Sequence, residues 1–429
     1  LTAFFNNRPH LSPLNAVLFT IYLGVFLFFV FQPPIFSPDT NTYFRLHFYR
    51  FPAYGIFLRT FDWFLGSAYA QAAVAFQLIF GLVSVHIFAK NVTQFLKIPA
   101  VVFVALLAIL LMPFFPPLLV ANNICSEGLS YPLYLLLLSF SFDFLFRNKP
   151  KRILPLTISF LLLCLTRGQF IIVAPILAVI FILKKRRAIF KKPLLFYLFI
   201  LLLLPLAVQM VDKTYHKLVH GFFVSTPFSY VNALTLPLYV SDKKDVAQMK
   251  DASEKELFLL TYKSLDSMGL LGNRVSGDYQ AEYRVFHNNF PWICNRTFHR
   301  TGLQYFEPKA KKTAENVVMT ERAAKNMMLP LIKANFREYI AIYFQGIFHG
   351  FKGIPIAILV FLLFLYSGFL TLKKWTVENG VLLLGLSLIV SNAMIVAFAS
   401  HSIMRYLFYN YFFAILIALI LFRKLILKK

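Results

Sequence analysis

The sequence predicts an all-α polytopic membrane protein. It has about ten transmembrane helices, interfacial helices in the first outer loop and one large extracytoplasmic loop domain. Three observations predict this. Of 429 residues, 59% are apolar and only 14% are charged, and the mean hydropathy is +0.68. Long apolar runs recur at 15–32, 67–89, 99–120, 129–146, 153–166, 168–183, 194–211, 355–372, 379–399 and 405–423. The formal net charge of +25 is concentrated between those runs. Soluble domains are about a quarter charged, so a soluble chain this apolar would leave far too much of itself facing water. The same composition excludes disordered, collagen-like and disulfide-scaffold classes.

The first run, 15–32, has Arg8 ahead of it and no small-residue cleavage site behind it, which predicts a retained span and not a removed signal. Residues 33–66, PPIFSPDTNTYFRLHFYRFPAYGIFLRTFDWFLG, are too many for a tight turn and too aromatic for a solvated loop. They predict one or two short helices on the outer leaflet. Three spans follow, and then the short pair 153–166 and 168–183. Read as one helix, the pair would be roughly 46 Å long, too long for a hydrocarbon core of about 30 Å. Charge decides the matter. Arg147, Lys149, Lys151 and Arg152 precede the pair, and Lys184, Lys185, Arg186, Arg187, Lys191 and Lys192 follow it. Two spans place both clusters inside, as the positive-inside bias requires.

The seventh span, 194–211, leads into a long polar segment, 212–354, predicted to be an extracytoplasmic domain. Helical stretches are predicted near 244–268 and 310–345, the latter broken near Pro330. An irregular part is predicted around 270–308, where Gly272, Gly277, Pro291 and Gly302 fall. LIKANFREYIAIYFQGIFHGF reads as an amphipathic approach to the eighth span. The chain thus divides into an N-terminal membrane module (1–211), the loop domain (212–354) and a C-terminal membrane module (355–429). Both termini are predicted inside. That face also gains Arg8, Lys90, Lys97, Lys373, Lys374, Arg423, Lys424, Lys428 and Lys429, against only Asp143 and Glu378. Most of the charge therefore records orientation, and anionic lipid reinforces it. No recognition motif accompanies it, so nucleic acid is not a predicted partner. Cys125 and Cys294 fall outside, where a disulfide between them is possible, although two unpaired thiols are the favoured reading, and Cys164 lies within a span. No Cys/His metal spacing is present.

Charged groups near membrane depth are costly, about 2.5–3.5 kcal/mol at a span centre. Those of interest share one side: Asp39, Glu127, Arg167, His401 and Arg405 all fall at outer ends of spans. Each also suits a structural role. Asp39 after Ser-Pro would cap a helix, Glu127 would cap the fourth span, and Arg167 would close a hairpin. Asp39 in SPDTNTY, with Tyr43 one turn on, has the strongest individual case. A carboxylate there could act as general base on an acceptor hydroxyl. Two arginines and a histidine nearby could neutralise a phosphate, a task suited to the guanidinium fork. A transfer with a phosphate leaving group needs both parts.

PDTNTYFRLHFYRFPAYGIFL resembles the first outer loop of polytopic GT-C glycosyltransferases, the class that uses polyprenyl-phosphate-linked sugars. The matching positions are Asp39, Tyr43, Arg50, Pro52 and Tyr54. NNICSEGLSYPLYLLLLSF, with Glu127, resembles the acidic start of a mid-chain span in that class. LLLCLTRGQFIIVAPILAVIFILKK, with Arg167, is similar to its short hairpin of two spans. IKANFREYI resembles a juxtamembrane helix of that class, and HSIMRYLFYNYFF resembles its terminal Arg-Tyr, here Arg405 and Tyr406. Two departures stand out: Thr40 follows Asp39 where many members have a second acid, and no Asp-x-Asp motif occurs.

The resemblance implies an inverting, metal-independent transferase of a bacterial inner membrane. No cofactor is implied, although a divalent metal stays open. The implied partners are the lipid bilayer, a polyprenyl-phosphate-linked sugar donor and an extracytoplasmic acceptor. Asp39 would be the catalytic base. Arg167, His401 and Arg405 would bind the lipid phosphate, and Glu127 and Tyr54 would shape the sugar site, with Tyr43, Arg50 and Tyr406 also binding substrate. In HNNFPWICNRTFHR, Trp292 would stack on a sugar. Two alternatives stand beside this reading. A lipid-linked saccharide flippase or other transporter should carry midplane charges or broken helices in paired repeats, which this chain lacks. An O-antigen polymerase or ligase would place the weight on His287, Asn288 and Asn289.

Overall fold

The computed structural model describes residues 13–426. Arg8, Lys428 and Lys429, expected on the inner face, lie outside the described residues. The fold is helical, and among the described residues the β pairing is one isolated parallel bridge between Ile35 and Asn123. Among the described residues, seven helical segments are long and apolar enough to cross a membrane, the architecture of a polytopic membrane protein.

Helix α1 (Pro13–Val30) is followed by a loop carrying α2 (Thr40–Phe44) and α3 (Pro52–Leu65). One or two short helices are expected there, and two are present, but α3 runs almost directly into α4 (Tyr69–Leu96). The break is made at Gly66, whose φ of +53° is a conformation that side chains resist. Next come α5 (Ala100–Leu111), α6 (Glu127–Leu145), α7 (Ile153–Thr166), α8 (Val173–Lys185) and α9 (Lys192–His220). Helix α9 continues nine residues past the predicted domain boundary at 211. Asp212 and His216 on that extension are buried and bond to Thr226, which fastens the helix end and supports the extra turns.

The polar segment contains α10 (Ser229–Tyr239), α11 (Ala252–Ser267), α12 (Tyr279–Pro291), a π-helical stretch (Trp292–His299), α13 (Arg300–Phe306), α14 (Glu315–Ala334) and α15 (Phe336–Gly350). Two expectations fail here. Residues 279–306 are helical, not irregular. Asp278 caps α12 through the Ala281 amide, and Tyr283, Phe286, Phe290, Ile293, Cys294 and Phe298 form one continuous buried face. Gly302 serves close packing, since a Cβ there would lie 2.5 Å from the Thr320 methyl. Helix α14 also passes through Pro330, because Met327 and Leu331 on either side are anchored in the core. Packing overrides the local breaker at both places.

The last helices are α16 (Ile354–Lys373), α17 (Val377–Ala399), α18 (Met404–Leu407) and α19 (Phe413–Ile426). One apolar core joins α1, α4–α9, α17 and α19, and a second is built wholly from residues 231–342. Helix α6 is buried along most of its length. Its Ser130 and Tyr134 hydroxyls bond to Tyr409 and Asn410 just before α19. By contrast α9 and α16 are mostly exposed, showing Phe196, Phe199, Leu203, Leu359, Leu362 and Phe369. Apolar faces of that extent need a lipid solvent.

Candidate functional site

The loop before α3 is tied down at several points. Its Ile35 amide bonds to the Asn122 carbonyl, and the Thr40 hydroxyl donates to the Ile124 carbonyl at 2.7 Å. These bonds hold the start of α2 beside the segment that leads into α6. Asp39 stands at the N-cap of α2, but its carboxylate makes no capping bond. Its backbone carbonyl takes the Thr42 hydroxyl, and its side chain turns instead to two guanidiniums. Arg50 Nη2 lies 2.5 Å from Oδ1, and Arg405 Nη1 lies 3.1 Å from Oδ2. Charge-assisted bonds outweigh a single amide cap, which corrects the capping expectation. The turn through Leu46, at φ +51°, brings Arg50 back over α2, where its Nε donates to the Thr42 hydroxyl at 2.9 Å. Burial alone would raise the Asp39 carboxyl, but Arg50 and Arg405 hold it below the usual carboxylate range.

Glu127 opens α6 and is almost fully buried. Arg167, in extended backbone at the end of α7, pairs with it, and so does Arg405 from α18. Arg405 therefore bridges the two carboxylates, reaching Asp39 with Nη1 and Glu127 with Nε and Nη2. Arg167 is positioned by Gln169, which accepts from its Nε at 3.1 Å, and by the Tyr406 ring 5.0 Å below. Gln169 in turn donates to the Tyr406 carbonyl, which Asn392 also bonds. Gly168 allows the first loop to dock against this turn, since a Cβ there would lie 2.5 Å from the Phe51 ring. Tyr43 donates to Ser126 at 3.1 Å, and burial pushes its hydroxyl up to about 12. Tyr54 lies beneath, buried, donating to Gln77 at 2.7 Å.

Three guanidiniums thus face two carboxylates, leaving one uncompensated positive charge. The cluster borders a cavity of about 160 Å³. Asp39, Tyr43, Arg50, Arg167, Arg405 and Tyr406 line one wall. Thr226, Phe228 and Asn232, from the segment around the start of α10, line the other. Thr226 is fixed there by Asp212, which accepts from both its amide and its hydroxyl. The arrangement suits an anion on the guanidiniums with a hydroxyl group beside Asp39. Among the described residues, no group of three or more His, Cys, Asp or Glu is placed to hold a metal ion.

Eight of the ten sequence-predicted residues gather here: six line the cavity, while Glu127 and Tyr54 support it from behind. His401 and Trp292 do not join them. His401 stacks on Phe290 and packs against His287 and, through it, His349, and its Nδ1 lies 2.8 Å from the His287 carbonyl. Trp292 is exposed, with the Arg296 guanidinium 4.1 Å from its ring centre. Sequence reasoning missed Thr42, Ser126, Gln169 and the wall from 226–232. Ser126 and Gln169 each adjoin a predicted charge, within one or two residues, and that proximity was the available signal. All three cysteines are unpaired and buried. No protein-family model matches this chain, and neither does any curated protein or solved structure.

Proposed function

We propose that this cavity is the active site of a membrane glycosyltransferase that moves a sugar from a polyprenyl-phosphate donor to an extracytoplasmic glycan, lipid or protein acceptor. The observation that carries the reading is the charge cluster itself: two carboxylates and three arginines from separate parts of the chain, with one positive charge in excess, beside a cavity. Such a cluster serves a reaction in which an anion departs while a hydroxyl loses its proton. The acceptor oxygen attacks the anomeric carbon from the face opposite the phosphate. Asp39 takes the hydroxyl proton as that bond forms. The carbon–oxygen bond to the phosphate breaks, and the phosphate leaves with the electron pair, neutralised by Arg405 and Arg167.

The ion pairs of Asp39 make it a weak base when the site is empty. A donor phosphate that draws Arg405 toward itself strengthens the base at the moment it is needed. The reading places ten spans in a bacterial inner membrane with both termini cytoplasmic. In that topology the cavity opens at the outer face and residues 212–354 cover it to select the acceptor. Helices α1, α5 and α7 would be the three short spans, supported by neighbours and not by length.

The test is transfer from a polyprenyl-phosphate sugar by the chain in nanodiscs. Asp39→Asn is expected to lower turnover by about 10²–10⁴-fold, with thermal unfolding close to that of the parent. Asp39→Glu should recover part of the activity. Near-parental turnover of Asp39→Asn would overturn the assignment.

A further inference from the structure

A second charged cavity lies at the other end of α6, sixteen residues and roughly 24 Å along the helix from Glu127. Its volume is about 310 Å³, nearly twice that of the first. Four cations line it: Lys90 on α4, then Arg147, Lys149 and Arg152 in the connection from α6 to α7. Asp143 is the one acidic lining residue and is buried. It lies 3.1 Å from Arg147, 3.4 Å from Lys149 and 3.2 Å from Arg152. One carboxylate cannot balance four cations, so a surplus of three positive charges surrounds a space large enough for a further group.

Two further observations say what that group is. Asn91 and Ser139 line the cavity, and Asn91 Oδ1 and Ser139 Oγ are buried without a hydrogen-bond partner. Buried polar atoms need partners, and a ligand bearing hydroxyl and anionic oxygen would supply one for each. The exposed side chains of Phe76, Ile79, Val83 and Ile87 form a helical stripe along α4, and Ile87 itself lines the cavity. An apolar track on the lipid-facing surface therefore leads directly to a basic, polar chamber at the end of the bundle.

We propose that this chamber binds the phosphate headgroup of an anionic membrane lipid, whose chain lies along the α4 stripe. Arg147, Lys149, Arg152 and Lys90 take the phosphate charge, Asp143 holds three of these cations in place, and Asn91 and Ser139 meet the headgroup hydroxyls. The proposal needs only that these helices lie in a membrane and is independent of the reaction at the first cavity. A phosphate anion free in solution shares the headgroup's chemistry but has no use for the apolar track.

Native mass spectrometry of the detergent-purified full chain, offered phosphatidylglycerol and phosphatidylcholine in equal amounts, tests it. Phosphatidylglycerol should be retained preferentially, and inorganic phosphate should not displace it. The double variant Lys90→Gln, Arg152→Gln changes two exposed side chains and should lower that retention roughly tenfold. Asp39→Asn should not alter it. Equal retention of the two lipids, an unchanged preference in the double variant, or ready displacement by inorganic phosphate would each overturn the proposal.

Discussion

Asp39 and Glu127 share Arg405, yet their surroundings differ. Glu127 is buried and held by two guanidiniums, while Asp39 is about a quarter exposed at the cavity edge. Removing the buried partner should therefore harm the fold, whereas neutralising the edge carboxylate should harm chiefly the chemistry and cost much less stability. Glu127→Gln leaves Arg167 without an acidic partner and Arg405 with Asp39 alone, and is expected to cost about 3–5 kcal/mol of stability, seen as a lower unfolding temperature in detergent. Because the folded Asp39 carboxyl lies below its usual range, its stabilising pairs are complete above the unfolded carboxylate value. They are lost only as pH falls through the lower folded value. The candidacy of Asp39 was legible from SPDTNTY, but its true partner was not. Arg405 lies 366 residues further on, and no local pattern reports such a pairing.

Among the helices, the sequence was most readable where apolar runs were long and bounded by charge. Each of the ten runs carries a helix, and α7 and α8 are separate helices parted at Arg167. It was least readable at 270–308, where Gly and Pro suggested loops and the buried face of α12 and the π-helical stretch prevailed. Helix α12 also builds a histidine cluster with α15 and the residues just after α17, through His287, His349 and His401. Burial, then His401, His349 and Lys352, bring His287 down to about 4. Burial chiefly lowers His349 and His401 as well, although the His287 carbonyl partly offsets this at His401. Neutral rings stabilise this junction above the ordinary histidine value of about 6.5, and that stabilisation is lost as pH falls toward 4. Relative to the intrinsic amide exchange rate at each pH, protection at α12 and α15 should therefore fall across that interval, and His287→Gln should flatten the change.

Over the molecule as a whole, the apolar composition and loop charges made an all-helical, membrane-spanning chain evident. The second core at 231–342 was visible only as a change of composition, because its contacts join helices distant in sequence. Orientation is open to direct measurement. Single cysteines at the exposed positions Asn41 and Asn295 should react with an impermeant maleimide on intact cells. One at exposed Lys151 should react only after permeabilisation. The native cysteines are buried and should stay silent. Arg405, which joins both carboxylates, has a further consequence for biosynthesis. Glu127 leaves the ribosome 278 residues before the arginine that completes its pairing, and Asp39 waits longer still. The two acids must therefore persist through membrane insertion with incomplete partners. The charge cluster closes only when α18 arrives, so a chain halted before Arg405 would hold α1–α17 and no finished site.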